Sequence, residues 1–253
     1  MRNIHKVFFV ITFALSAGCG NRNNAGEVEN TQNLSLDSSA FQNIILRDSI
    51  TLMKYKNRVD TISFPVINPQ FKALAKSVTP EEILGERIFG IKENYENCGC
   101  GYTFLNYRKT FSNSNIISLV FQTSFVGPYP SETTIYKTLK IRDGKLYTLK
   151  EQLAEAGQVF VLKGYKDELL KRLEADKSNH EEADYQVAYL QIKQNIGGLT
   201  FRAIDDNYIV SGDSIIVKTE PILPHATLAW EINRKLSFSL AELKRFRKNS
   251  ASI

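Results

Sequence analysis

The chain has 253 residues, of which 43% are hydrophobic and 11% aromatic, enough apolar material for a substantial core, and its formal net charge is +5. Residues 1–18 contain Arg2 and Lys6 and no acid, so without them the charge falls to +3, too mild an excess for a nucleic-acid footprint. No segment after the amino terminus is apolar for the roughly 20 residues that a helix needs to span a bilayer.

The amino terminus carries the three parts of an export signal. Arg2 and Lys6 form a basic start, Val7 to Leu15 an apolar run too short to span a membrane, and Ser16, Ala17 and Gly18 a small-residue stretch before Cys19. A cysteine directly after such residues resembles the lipobox, which makes residues 1–18 the expected signal peptide and Cys19 the expected lipidation site. Leu15 stands one place further from the cysteine than the usual leucine. Gly20, where an Asp would favour retention at an inner membrane, permits an outer-membrane destination facing the periplasm. Residues 19–40 are rich in Asn, Gly, Ser, Gln and Glu and read as a flexible tether.

The folded part divides in expectation into a small α+β subdomain over 41–110 and a larger α+β domain over 111–253. Thr61 to Val66 reads as a strand. Thr79-Pro80-Glu81-Glu82 is a capping sequence with Pro at the first helical position, predicting a short helix to about Phe89. Strands follow at Thr103 to Tyr107, Ile116 to Phe125 and Thr133 to Ile141, all rich in branched and aromatic residues. Thr148 with Glu151 predicts a helix start near Leu149. Leu162, Tyr165, Leu169 and Leu173 recur at helical spacing in a helix beginning near Lys163, and Tyr185, Tyr189, Ile192 and Ile196 in another that stops at Gly197-Gly198. Further strands are predicted at Leu199 to Ile204, Tyr208 to Val210, Ser214 to Thr219 and Thr227 to Ile232, and a last helix after Ser239 with Glu242. Asp143-Gly144 and Asp205-Asp206-Asn207 supply turns. Strands, then helices, then strands again give an α+β fold: an antiparallel sheet with helices packed on one face.

Catalytic raw material is thin. After Cys19 the chain holds two histidines, His180 in a polar stretch read as exposed, and His225 between Pro224 and a predicted strand. There is no Gly-rich phosphate loop, no His-Glu-x-x-His and no Gly-x-Ser-x-Gly. No cofactor and no metal are expected. Carboxylates are plentiful, so a cell-wall hydrolase or transferase using a pair of them stands as the alternative to a non-enzymatic protein. Cys98-Gly99-Cys100-Gly101 admits a strained redox-active disulfide, a soft-metal ligand pair, free thiols, or a small disulfide that stiffens the turn before Thr103, the last being the expected state. Tyr129, in the turn Gly127 to Pro130, and His225 are the candidate ligand contacts, against a purely structural use of both. The bases Arg234, Lys235, Lys244, Arg245, Arg247 and Lys248 read as a solvated surface, or as a face for anionic head groups or an acidic partner.

From about Tyr102 onward the order of elements resembles the uncharacterised carboxy-terminal domain shared by the lysozyme-sensing anti-sigma factor RsiV and PdaC-type peptidoglycan deacetylases. Asn115-Ile116-Ile117-Ser118-Leu119 and the run Thr138 to Lys150 resemble that family's strand, turn and short helix. Phe201 with Asp205-Asp206-Asn207, Glu220-Pro221-Ile222-Leu223-Pro224-His225-Ala226, and Leu236 to Leu243 resemble its later segments. Gly127-Pro128-Tyr129-Pro130 replaces a Gly-Gly-Ala-His segment common in the family, and no deacetylase domain is present. The resemblance implies a binding or sensing module at the cell envelope, held to the membrane by its lipid, with a lysozyme-like protein or a cell-wall glycan as ligand.

Overall fold

The computed structural model describes residues 43–128, 130–177, 183–224 and 229–248, all within one unit, Leu36–Ile253. The fold is α+β, as the sequence predicts, with its strands divided between two sheets and helices lying next to them. The larger sheet has the order β1(Ile45–Tyr55)-β2(Arg58–Ile67)-β3(Gly101–Ser112)-β4(Ile116–Val126)-β5(Ser131–Lys140). Every neighbouring pair in it is antiparallel except β2–β3, which is parallel. A parallel pair needs a crossover, and the chain supplies three short helices there, α1(Lys72–Ser77), α2(Pro80–Leu84) and α3(Ile88–Cys98). The predicted helix to Phe89 is thus two helices. Thr79 caps α2 by accepting from the Glu82 N–H, and Gly85 stops it in the left-handed conformation before α3 begins.

Beyond β5 come α4(Leu149–Gln152), α5(Glu155–Lys177), α6(Ala183–Gly198) and α7(Arg202–Asp205). The small sheet β6(Tyr208–Ser211)-β7(Ser214–Val217)-β8(Leu236–Ser239) follows, then α8(Leu240–Leu243) and a 3₁₀ turn, Lys244–Phe246. The capping boxes at Thr148/Glu151 and Ser239/Glu242 both form in full. The helix expected from Lys163 starts at Glu155. Gly157 and Gly164 lower its propensity, but Phe246 packs so close to Gly157 that a Cβ there would sit 2.5 Å from it. Leu199 to Ile204 is not a strand: Ala203 N–H bonds Thr200 O and Ile204 N–H bonds Phe201 O, winding the segment into α7. In the stretch predicted as a strand over 227–232, residues 227 and 228 lie outside those described. Ala229 and Trp230 form a 3₁₀ turn and Glu231 and Ile232 pair with no strand.

Two cores result. One face of the large sheet, with Ile62, Phe64, Leu105 and Phe121, packs on Leu74 of α1 and Ile91 and Tyr95 of α3. The second core joins Tyr165, Leu169 and Leu173 of α5, Ile192 and Ile196 of α6, and the inward side of the small sheet. Strand β4 is buried continuously from Ile116 to Phe121 because both of its faces are covered, one by the helices and the other, through Val120, by Ile209 of β6. Buried and half-buried hydroxyls bond the two sheets. Thr110 and Thr138 donate to the carbonyls of Val210 and Tyr208 at 2.6 and 3.0 Å, and Ser118 Oγ accepts from Val210 N–H at 3.1 Å. They satisfy backbone groups of β6 that face away from its own sheet and away from water. No described helix is long and apolar enough to cross a membrane.

Buried tyrosines make the fold sensitive to alkali. Tyr185 is fully buried at the α5–α6 contact, and its hydroxyl donates to Asp176 at 3.0 Å. Burial first, then that bond, push its pKa up to about 12 from an ordinary 10.0. The unfolded phenol ionises near 10 while the folded one keeps its proton, so this stabilisation is complete below pH 10 and is lost between pH 10 and 12. Denaturant titrations across that window are expected to show stability falling with pH, and the fall should be shallower in Tyr185→Phe.

Candidate functional site

The two local features singled out in the sequence, the Cys98–Cys100 pair and the Gly127–Pro130 turn, meet at one end of the large sheet. Helix α3 ends at Cys98 because Gly99 takes the left-handed conformation, φ +67, with its N–H on Tyr95 O at 2.7 Å. Cys98 and Cys100 are bonded across it, their Cα atoms 5.2 Å apart, and Gly101, also at positive φ, starts β3. Strand pairing then sets Gly101 opposite Val126 and Tyr102 opposite Phe125, directly before the turn at Gly127. The rings of Tyr102 and Phe125 meet edge to face, centroids 5.4 Å apart.

Between these elements lies a groove of about 200 Å³, walled by Cys100, Tyr102, Phe125, Gly127 and Pro128, with Asn94 and Glu86 as polar neighbours. Burial first, then the nearby charge of Glu86, raise the Tyr102 pKa above its ordinary value, so the phenol stays protonated and able to donate. The chemistry is that of a binding site: an aromatic and apolar wall for contact, and a phenol, an amide and one carboxylate to orient a polar ligand. Sequence reasoning missed Tyr102, Phe125, Asn94 and Glu86. The strand register that opposes Tyr102 to Phe125 is not a local signal, and neither is the approach of Asn94, on α3, to those two strands.

Gly99 is fixed twice over. A Cβ there would lie 2.4 Å from the Tyr55 ring, at a φ that costs an ordinary residue about 1–2 kcal/mol. Gly99→Ala is therefore expected to lower stability by at least that amount, measured by thermal or urea unfolding with the disulfide intact.

The other sequence-derived candidates, Cys19, Tyr129, His180 and His225, lie outside the described residues. Elsewhere, a recess of about 310 Å³ lined by Arg172, Asp176, Trp230 and Glu231 brings two carboxylates towards one space. Both already have partners. Glu231 accepts from the N–H groups of Ile222 and Leu223 and pairs with Arg234 at 3.2 Å, and Asp176 accepts from Tyr185. The guanidinium of Arg172 is committed too, to Glu168 and the carbonyls of Asn233 and Lys235.

No family model matches the chain, and no curated protein matches it. Two solved structures similar to it are DUF3298 family proteins. One, from Pseudomonas aeruginosa, is 13% identical, with 81% of this chain and 93% of that chain covered at a TM-score of 0.49. The other, from Bacteroides fragilis, is 10% identical, with 81% and 92% covered at a TM-score of 0.44.

Proposed function

We propose that this chain is an envelope lipoprotein, anchored through Cys19, whose α+β domain binds a protein or a cell-wall glycan without catalysing a reaction. The observation that carries the reading is the groove beside the Cys98–Cys100 disulfide, where an aromatic pair faces a single described carboxylate, Glu86. One acid suits orientation of a ligand, whereas hydrolysis by paired carboxylates requires two acids flanking the scissile bond. The signal sequence, the tether and the resemblance to the sensing domain point to ligands met outside the cytoplasm, lysozyme-like proteins and peptidoglycan fragments.

The test is a binding titration of the full chain in detergent against hen lysozyme and against soluble peptidoglycan fragments. Saturable binding to one of them, weakened roughly tenfold by Tyr102→Ala, is the expected result. Binding to neither, or binding that Tyr102→Ala and the Cys98→Ser/Cys100→Ser double variant leave unchanged, overturns the assignment of the groove. The anchor is tested separately: Cys19→Ser should move the protein from the membrane fraction to the soluble one.

A further inference from the structure

The large sheet has two edges that differ in chemistry. At β5 the chain folds back on the strand: Leu139 bridges Leu146, Lys140 N–H bonds Lys145 O and Tyr147 N–H bonds Thr138 O. The open end of that edge is Ser131-Glu132-Thr133-Thr134, all polar. Strand β1 is an 11-residue edge of another kind, with Ile50 64% and Leu52 54% exposed and Val59 exposed beside them on β2. A long edge with exposed apolar residues is a template for another strand.

Hairpin geometry says which backbone groups that edge presents. The two-residue loop Lys56-Asn57 makes Tyr55–Arg58 a hydrogen-bonded pair, so the bonds to β2 fall at Tyr55, Met53, Thr51 and Ser49. The N–H and C=O groups of Lys54, Leu52, Ile50 and Asp48 therefore point away from β2. Lys54 N–H confirms the phase by reaching outward to Glu96 Oε1 at 3.4 Å, a long bond to an exposed side chain.

We infer that a second copy of this chain occupies this edge, β1 pairing antiparallel with the partner's β1 about a two-fold axis at Thr51, to give one ten-stranded sheet. In that register Asp48 stands opposite the partner's Lys54 and Ile50 opposite the partner's Leu52, and the symmetry makes each pairing twice. The neighbouring registers lack this match. Centring on Ile50 sets Asp48 against the partner's Leu52 and Lys54 against the partner's Leu46, and centring on Leu52 sets Ile50 against the partner's Lys54. Asp48 receives the Tyr107 hydroxyl on Oδ1, which leaves Oδ2 for a lysine. The inference is independent of the ligand-binding groove.

The test is cysteine cross-linking of the full chain in membranes treated with a mild oxidant. In the proposed register Thr51 faces its own copy in a non-hydrogen-bonded pair, about 4.5 Å between Cα atoms, within disulfide reach. Thr51→Cys is expected to give a covalent dimer that the parent chain does not. Adding Asp48→Lys should cut the cross-linking rate about tenfold, and Asp48→Lys with Lys54→Asp should restore it, because the swap rebuilds both ion pairs. Loss of a purely structural role of Asp48 would not be rescued by a change at Lys54. No Thr51→Cys dimer, a dimer trapped through Ile50→Cys but not Thr51→Cys, or no rescue by the charge swap would overturn the proposal.

Discussion

Replacing Arg234 by Ala is expected to destabilise the protein by about 3–5 kcal/mol, the cost of leaving a buried charge without its partner. The side chains of Arg234 and Glu231 are only 12% and 9% exposed and lie 3.2 Å apart. Around them the segment from Thr219 to Leu223 is held with no strand paired to it among the described residues. Glu231 takes the N–H groups of Ile222 and Leu223, and Arg234 donates to the Thr219 carbonyl. The Tyr165 hydroxyl, from α5, donates to the Arg234 carbonyl at 2.6 Å and accepts from Thr219 N–H at 3.0 Å. One relief works against the loss: burial first, and then the charge of Arg234, hold the Lys218 ammonium below its ordinary pKa. Urea unfolding measures the effect. The combination Arg234→Met with Glu231→Leu should cost less than the sum of its parts, since neither charge is then stranded.

The second large effect belongs to Phe121. Its ring is fully buried in the middle of β4, stacked on Phe64 of β2 at 5.3 Å and 25°, with Tyr107 of β3 at 6.4 Å. Phe121→Ala removes a ring that touches two other strands, and such truncations cost about 3–5 kcal/mol. Phe121→Leu, which keeps most of the volume, should cost less. A lower urea midpoint with an unchanged denaturant slope would mark a change in native packing rather than in the unfolded chain.

These sites show where sequence reading works and where it stops. Ile116 to Phe125 declares itself as a strand because it is rich in branched and aromatic residues, with both faces buried from Ile116 to Phe121. Thr148 with Glu151, and Ser239 with Glu242, declare helix starts because a cap is a contact within four residues. Strand β1 stays hidden because it is an edge: Arg47, Asp48, Ser49 and Lys54 break the apolar run, and Leu46, Ile50 and Leu52 face outward while Met53 faces the core. Of the strand predicted over Thr227 to Ile232, the described residues from Ala229 on mislead because the composition suits a strand, while Glu231 supplies from a side chain the hydrogen bonds that a neighbouring strand would have made. For the groove, Cys98 and the Gly127 turn are legible singly. Their meeting depends on the β3–β4 register, a relation between residues far apart in the chain.

The parallel contact between β2 and β3 also sets an order of events in folding. Strands β3, β4 and β5 are joined by short turns, so their pairings close small loops and carry little entropy cost. The β2–β3 junction pairs Thr61 with Phe104 and Ile62 with Leu105, and brings these together only after a loop of about forty residues has closed. The three-stranded meander is therefore the natural nucleus. The β1–β2 hairpin and its helices join it late, across a short parallel pairing where Phe64 stacks on Phe121. In a native-state hydrogen-exchange experiment that pairing is where the first cooperative opening should run, releasing β1 and β2 while the amides of β4 stay protected.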